Sequence, residues 1–315
     1  MPDGRQDPPI YFVMNAGSGN SDSEQAAAVI AAAMQAAGRT HRIFRIDEPG
    51  RLEDVARRAV EEAAAHDGVV VAVGGDGTLS AVAQAVLGTR CTFGAIPQGT
   101  FNYFGRSHGL PSDVGEAVQA LLTARIESVP VGLVNGRVFL VNASLGLYPV
   151  SLEIREAQKR RYGRSRVVAF WAALLAILGR HRSMRIRIEG DGIDRVLRTL
   201  TVFVGINPLQ LEQIGVEDTV RRCQFVAVVL RPASPLRLAW LIVRGALGRL
   251  VEADGVAHVV STALSVTPAS PRVRRMKIAI DGETGWTNVP VEFRIADEPL
   301  RLLKPVAAQA EGSST

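Results

Sequence analysis

The feature that most constrains the fold is a regular alternation of short apolar runs and amphipathic stretches between residues 10 and 123. The apolar runs predict buried strands, and the stretches with apolar residues at helical spacing predict helices. Strands are expected at Ile10 to Met14, His41 to Ile46, Val69 to Val73 and Thr92 to Ile96, with helices beginning near Ser21, Leu52, Leu79 and Ser112 or Asp113. This order predicts an α/β domain, a parallel sheet with helices on both faces.

After about residue 125 the pattern changes to a succession of strand-like runs. Asn135-Gly136 between Ile126 to Val134 and Arg137 to Val141 is a strong two-residue hairpin signal. Further strands are expected at Arg185 to Ile188, Leu197 to Val204, Phe225 to Leu230, Ala257 to Val266, Met276 to Ile280 and Val289 to Ile295, with helices near Ser165 to Leu178 and Leu236 to Leu250. The second half therefore predicts a mostly antiparallel β domain.

Composition excludes several classes of protein. None of the three lysines follows a glycine, so a P-loop is excluded, and the histidines lack the spacing of a zinc hydrolase. Two cysteines are too few for a disulfide framework, which makes the cytoplasm the expected compartment. The longest apolar run, Val167 to Gly179, is shorter than the roughly 20 residues of a spanning helix, and the N-terminal residues show no apolar leader. The net charge of +5 favours an anionic partner, unless it reflects genome composition.

Three glycine-containing loops follow predicted strands at Asn15 to Asn20, Gly74 to Thr78 and Pro97 to Asn102. Glycine lets backbone amides approach a phosphate, and a following helix N-terminus favours negative charge. In the second loop Asp76 would repel phosphates unless it holds a metal ion or takes a proton. From the residues alone, a tight turn with Asp76 as a helix cap is an equally good interpretation.

These loops, in this order, resemble the diacylglycerol kinase catalytic domain family, which includes bacterial lipid kinases and sphingosine kinases. The resemblance rests on Asn15-Ala16-Gly17-Ser18-Gly19, Gly74-Gly75-Asp76-Gly77-Thr78, Pro97-Gln98-Gly99-Thr100-Phe101-Asn102, Asn142 to Pro149, Arg155-Glu156 and Asp281-Gly282-Glu283. It implies an ATP-dependent kinase acting on a lipid hydroxyl. It also implies an α/β nucleotide domain similar to that of NAD kinases, a β-sandwich domain, and an active site in the cleft between them.

The resemblance also implies roles for individual residues. The ATP phosphates, with Mg²⁺ as Mg-ATP, would lie on Gly74, Gly75, Gly77 and Thr78, with Asn15, Gly17 and Gly19 beside them and Gly99 and Thr100 lining the same site. Glu283 resembles the family's general base, and Asp76 the motif aspartate that serves as base or metal ligand. Without the family, Asp281-Gly282 is read as a hairpin turn.

The expected domains are residues 8–125 for the ATP-binding domain and 126–298 for the lipid-substrate domain. Residues 299–306 are expected to return to the first domain, and 307–315 to be disordered. Tyr103 stands where many members carry an acid, and no threonine lies near Ile46 to contact the nucleotide. Glu217 to Cys223 occupies the position of a structural magnesium segment, but its two arginines would repel a cation, so that site is predicted to be absent or degraded.

A lipid kinase must meet its substrate at a membrane surface, and Lys159 to Arg166, next to Phe170 and Trp171, suits an anionic interface. A core helix with solvated ends is the alternative. The expected location is the cytoplasm, with peripheral contact at the inner membrane face. Nucleic-acid binding is disfavoured, and the oligomeric state, a homodimer included, stays open. The rival functions are a NAD kinase-like enzyme with a soluble substrate and a catalytically silent protein that binds nucleotide or lipid.

Overall fold

The computed structural model describes residues 7–15, 20–99, 102–146, 149, 183–213, 223–234, 237, 240 and 254–306. The chain divides into two compact units. The first holds the described residues up to Pro130 and those from Glu298 onward, and the second holds those from Val131 to Asp297. Within the described residues, no helix combines the length and apolar character that crossing a bilayer requires.

The first unit is built on a six-stranded sheet in the order β2-β1-β3-β4-β18-β5. Its strands are β1 (Ile10–Asn15), β2 (His41–Ile46), β3 (Val69–Gly74), β4 (Thr92–Pro97), β5 (Arg125–Val129) and β18 (Leu300–Lys304). The first four pair in parallel, and β18 pairs in parallel with β4 but antiparallel with β5. The segment expected to return to this domain is therefore the strand that joins β5 to the rest of the sheet.

Helices cover both faces of this sheet, as the alternating sequence pattern predicted. They are α1 (Asn20–Ala36), α2 (Leu52–Ala64), α3 (Asp76–Val86), α4 (Tyr103–Ser107) and α5 (Val114–Leu122), with a 3-10 turn at Pro49–Arg51. Residues of α1 and α5 share one apolar core with alternate residues of β1 and β3, while α2 and α3 pack on the opposite face. Asp113 caps α5 by accepting a hydrogen bond from the Glu116 amide at 2.9 Å. The expected α/β fold is confirmed.

The second unit consists of two six-stranded antiparallel sheets, in the orders β10-β9-β14-β17-β6-β7 and β13-β12-β11-β8-β15-β16. We call them sheet B and sheet C. Their strands are β6 (Gly132–Val134), β7 (Arg137–Phe139), β8 (Asn142–Gly146), β9 (Met184–Gly190), β10 (Ile193–Thr199), β11 (Thr201–Gly205), β12 (Phe225–Leu230), β13 (Val256–Ser261), β14 (Ala263–Pro268), β15 (Arg275–Ile280), β16 (Glu283–Asn288) and β17 (Val291–Ile295). A short helix, α6 (Pro208–Gln213), follows β11. One apolar core contains residues of both sheets, which confirms the β-sandwich.

Two runs predicted as single strands are each two strands in different sheets. The run from Leu197 to Val204 passes from β10 in sheet B to β11 in sheet C, and the run from Ala257 to Val266 passes from β13 in sheet C to β14 in sheet B. At the crossings the buried hydroxyls of Thr199 and Ser261 donate hydrogen bonds to the carbonyl groups two residues ahead, at 2.7 and 2.6 Å. The sequence conceals such crossings because both halves contribute apolar residues to the same core.

Two other predictions need correction. The run from Ile126 to Val134 is not one strand, because Pro130, which lacks an amide hydrogen, separates β5 in the first unit from β6 in the second. The helix expected from Leu79 begins at Asp76 instead, with Gly75 as its N-cap residue. The apolar spacing could not locate that start, because the first turn of α3 is polar.

Candidate active site

The three glycine-containing loops follow β1, β3 and β4, which are neighbours in the parallel part of the first sheet. The carboxyl ends of parallel neighbours lie at one edge of the sheet, where α/β folds bind ligands. Asn15 ends β1, Gly74 ends β3, and Gly99 follows β4. We call Asn15, residues 74–78 and Gly99 the loop cluster.

Direct contacts join the members of the loop cluster. The Asn15 Nδ2 donates a hydrogen bond of 3.4 Å to Oγ1 of Thr78, a side chain that is 4% exposed. The amide of Gln98 donates to the carbonyl oxygen of Gly74 at 2.8 Å. Through these bonds, the ends of three strands predicted to form one site are brought together.

Glycine is required where the loops after β3 and β4 approach each other. A Cβ atom on Gly99 would lie 3.2 Å from the Cα of Gly75, and a Cβ on Gly74 would lie 2.8 Å from the Thr78 Oγ1. Side chains at these positions would therefore separate the loops or displace Thr78. The result is a surface edged by main chain, the kind of surface that phosphate oxygens approach.

The N-terminus of α3 lies inside this cluster. Gly75 has an extended conformation, and no side chain caps the helix, so its first amides are not occupied by a capping group. Asp76 is the first helical residue and is partly buried, and Gly77 follows it. The interpretation of Asp76 as an N-cap is wrong, because Gly75 occupies that position. A carboxylate in the first turn still interacts favourably with the helix dipole.

Gly17, Gly19 and Thr100 lie outside the described residues, so their part in the cluster stays a prediction. The same holds for Glu217 to Arg222 of the magnesium segment, for Lys159 to Leu178 and for nearly all of Leu236 to Leu250, as well as for the tail at 307–315. Among the residues that are described, no group of three or more His, Cys, Asp or Glu side chains is arranged to hold a metal ion.

Glu283 lies in the second unit, as the first residue of β16, and its side chain is exposed. The preceding Asp281 and Gly282 have φ angles of 47° and 90°, so they form the hairpin turn that local sequence favoured. A turn at this position does not oppose the catalytic role that the resemblance gives Glu283. That role stays a prediction.

Asp281 has a structural role that the sequence analysis did not predict. Its carboxylate accepts hydrogen bonds from the amides of Leu140, Val141 and Asn142 at 2.8 to 3.0 Å. The amide of Asp281 in turn donates to the Asn142 carbonyl oxygen at 2.9 Å. Four bonds thus fix the turn before Glu283 to the start of β8. The Asp-Gly pair signals the turn, but nothing local signals partners some 140 residues away.

Comparison with known proteins agrees with this arrangement. Residues 9–134 match the family described as the diacylglycerol kinase catalytic domain, which confirms the resemblance. The chain is 28% identical over 252 residues to a diacylglycerol kinase of Bacillus subtilis strain 168, covering 76% of this chain and 78% of that protein. It is 25% identical over 279 residues to one of Staphylococcus saprophyticus, covering 86% and 87%.

Solved structures are similar over nearly the whole chain. A crystal structure of a diacylglycerol kinase from Bacillus anthracis strain Sterne superposes with a TM-score of 0.67 at 16% identity, covering 95% of this chain and 98% of that chain. Another crystal structure from the same strain has a TM-score of 0.75 at 20% identity, with coverage of 97% and 98%. At these identities the likeness establishes the fold.

Proposed function

We propose that this chain, in which residues 9–134 belong to the diacylglycerol kinase catalytic domain family, is a kinase that transfers the γ-phosphate of ATP to a lipid hydroxyl. The observation that carries the proposal is the loop cluster, where three strand ends converge on an uncapped helix N-terminus. Diacylglycerol-like lipids are the first candidate acceptors, because the similar proteins are named diacylglycerol kinases, and sphingoid-like lipids are the second, because the family that the motifs resemble includes sphingosine kinases. We place the reaction in the cytoplasm, where ATP is available.

The loop cluster is the proposed nucleotide site. The first amides of α3 carry partial positive charge, and a phosphate placed there replaces the capping group that the helix lacks. Gly75 and Gly99 keep side chains away from that position. The hydroxyl of Thr78 and the amide of Asn15 supply neutral hydrogen-bonding groups at its border. We assign Gly17, Gly19 and Thr100 to the same site from the motif alone.

Magnesium fits this cluster only as an ion carried with the nucleotide. Asp76 is the carboxylate that the cluster offers, and Mg²⁺ is commonly held by one or two carboxylates together with substrate phosphates. When bound there, the ion supplies neutralisation of the phosphate charge. Asp76, the first residue of α3, would be the protein ligand of this ion.

Glu283 is the proposed general base. Its carboxylate takes the proton of the lipid hydroxyl while that oxygen forms a bond to the γ-phosphorus. The bond from this phosphorus to the bridging oxygen of the β-phosphate breaks, and ADP leaves. Phosphoryl transfer depends mainly on positioning and charge stabilisation, so a rigidly held base is the part that the second unit contributes.

The proposal is tested with γ-labelled ATP and a panel of diacylglycerol, sphingosine and NAD, separated by thin-layer chromatography. Label in a lipid is expected. Label in NAD instead would make the protein a kinase of a soluble substrate, and nucleotide binding without any labelled product would make it a silent binding protein. Either result would overturn the proposal.

A substitution tests the base. We expect Glu283→Gln to lower turnover by a factor of about 10²–10⁴ and to leave the affinity for ATP unchanged, because the amide keeps the shape but accepts no proton. Glu292→Gln is the matched control, since Glu292 is also an exposed glutamate on a strand of the second unit. Equal turnover in the two variants would remove Glu283 from the mechanism.

A further inference from the structure

The hairpin of β15 and β16 carries a surface that the proposed mechanism does not use. We call it the basic-aromatic patch, and it consists of Arg272, Val273, Arg274, Arg275, Lys277 and Trp286. Lys277 is the cross-strand partner of Trp286, and its Nζ lies 5.7 Å from the centre of a Trp286 ring. Because Met276 between the cations is buried in the core, Arg275 and Lys277 share the outer face of sheet C with Trp286.

The loop before β15 extends the patch. Residues 271–275 are all exposed, and the Val289 amide donates to the Arg274 carbonyl oxygen at 3.2 Å, which fixes the loop beside the end of β16. Trp286 is 59% exposed and Val273 is 39% exposed. An isolated exposed apolar side chain is ordinary. Trp286 and Val273, lying among four cations, instead form a surface that is both apolar and positively charged.

The segments that carry the patch contain four cations and no acidic residue. No acidic residue occurs from 269 to 280 or from 284 to 291, and the acids of the hairpin, Asp281 and Glu283, are at its turn. Elsewhere in the unit, Arg187 is paired with Asp194 and Arg294 with Asp297. Arg272, Arg274 and Arg275 form no ion pair with any described residue.

We propose that the basic-aromatic patch binds the anionic surface of a lipid bilayer. Lysine and arginine are attracted to acidic headgroups, and tryptophan favours the boundary between headgroups and acyl chains. The inference rests on the proposed function, because a lipid acceptor lies in such a surface. Glu283 and Trp286 are three residues apart on one strand, so they are separated by about 10 Å. The two side chains are on opposite faces of β16, because Trp286 pairs with the outward Lys277 and Glu283 with the core residue Ile280, so binding through Trp286 brings the strand that carries the proposed base, and not its carboxylate, to the membrane surface.

The test is flotation of the full-length protein with vesicles of phosphatidylcholine alone or with phosphatidylglycerol added, without ATP. We expect binding that requires phosphatidylglycerol. Each cation near an acidic surface contributes about fivefold, so Arg274→Glu with Arg275→Glu is expected to weaken binding at least tenfold. Trp286→Ala is expected to weaken it at high salt as well, because its contribution is not electrostatic.

The matched control is Arg195→Glu with Arg198→Glu on β10, an equal change of charge on exposed residues of sheet B. Loss of binding in the control equal to that in the patch variant would overturn the proposal, since net charge would then explain both. Tighter binding to duplex DNA than to acidic vesicles at the same salt concentration would also overturn it.

Activity separates the failure of this inference from the failure of the proposed function. With a short-chain diacylglycerol dispersed in detergent, the patch variants are expected to phosphorylate at the wild-type rate. Vesicle binding through the patch without any lipid kinase activity would reject the function and keep the patch. Kinase activity with unchanged vesicle binding in the patch variants would reject the patch and keep the function.

Discussion

His108 packs its ring edge-on against Phe104, with ring centres 4.6 Å apart, and its Nδ1 has no hydrogen-bond partner among the described residues. Burial, and to a lesser degree the nearby Lys304 ammonium, lowers the pKa of His108 from 6.5 to about 4, although Glu127 acts in the opposite direction. Lys304 and Glu127 form an ion pair at 3.0 Å across β18 and β5. The neutral ring is therefore the form that the folded first unit requires.

This residue predicts a pH dependence of stability. Because the pKa is lower in the folded state, unfolding takes up a proton between about pH 4 and 6.5. This contribution to stability is complete above pH 6.5 and is lost as the pH falls toward 4. The titration of His108 therefore lowers the free energy of unfolding by about 2 kcal/mol between pH 7 and pH 5. His108→Phe, which keeps the aromatic contact, is expected to flatten the pH dependence of urea unfolding. His66→Phe, at an exposed position, is the control, and an equal effect there would contradict the assignment.

At the scale of elements, three β-hairpins of the second unit share the same kind of two-residue turn. Asn135-Gly136, Asp191-Gly192 and Asp281-Gly282 all form turns with two positive φ angles. In each turn, the side chain of the first residue forms a hydrogen bond with another part of the unit. Asn135 donates to the Asn288 carbonyl oxygen, Asp191 accepts from the Thr262 amide, and Asp281 accepts from three amides. Strand β16, which carries Glu283, is thus held near both ends by Asp281 and Asn135.

This geometry predicts that Asp281 positions Glu283. Asp281→Ala leaves three amides without their acceptor, and a displacement of about 1 Å at a catalytic group can cost about a hundredfold. We expect turnover to fall at least tenfold with little change in the KM for ATP. Asp191→Ala, which removes the same kind of bond from the Ser261 hydroxyl and Thr262 amide, is expected to leave turnover unchanged.

The double variant Asp281→Ala with Glu283→Gln decides between positioning and general damage. If Asp281 acts through Glu283, the double variant is no slower than Glu283→Gln alone. If the two losses multiply, Asp281 has a separate structural role and the prediction is wrong.

Elements were predictable where a local signal existed. Periodicity located β1 to β4 and the helices α1, α2, α3 and α5 of the first unit, though not α4, and Asn-Gly located the β6–β7 hairpin, because backbone preference and burial act within a few residues. Sequence could not predict that a strand-like run changes sheet after Thr199 or Ser261, because residues on both sides of each crossing pack into one core. The amides bound by Asp281 were also beyond prediction, since register between distant strands is decided by packing. The loop cluster was located because glycine marks close approach of main chain.

At the scale of the whole molecule, the first unit is discontinuous in sequence. Strand β18 arrives after the entire second unit and pairs along its full length with β5, while Leu302 is the partner of Phe93 in β4. Leu300, Leu302 and Leu303 are buried in this unit. The loop cluster therefore belongs to a sheet that is complete only when the last strand is in place.

A matched pair of core substitutions tests whether the two units unfold separately. Leu302 in β18 is 0% exposed and Leu264 in β14 is 3% exposed, and replacing a buried leucine by alanine costs about 2–5 kcal/mol. Because each leucine lies in the core of one unit, Leu302→Ala is expected to speed amide hydrogen exchange in β3 and β4 but not in β12. Leu264→Ala is expected to do the reverse, as read by mass spectrometry of peptic fragments. Faster exchange throughout the chain in both variants would mean that the molecule unfolds as one cooperative body, and the distant strand β18 would then be stabilised by the second unit as well as by its own sheet.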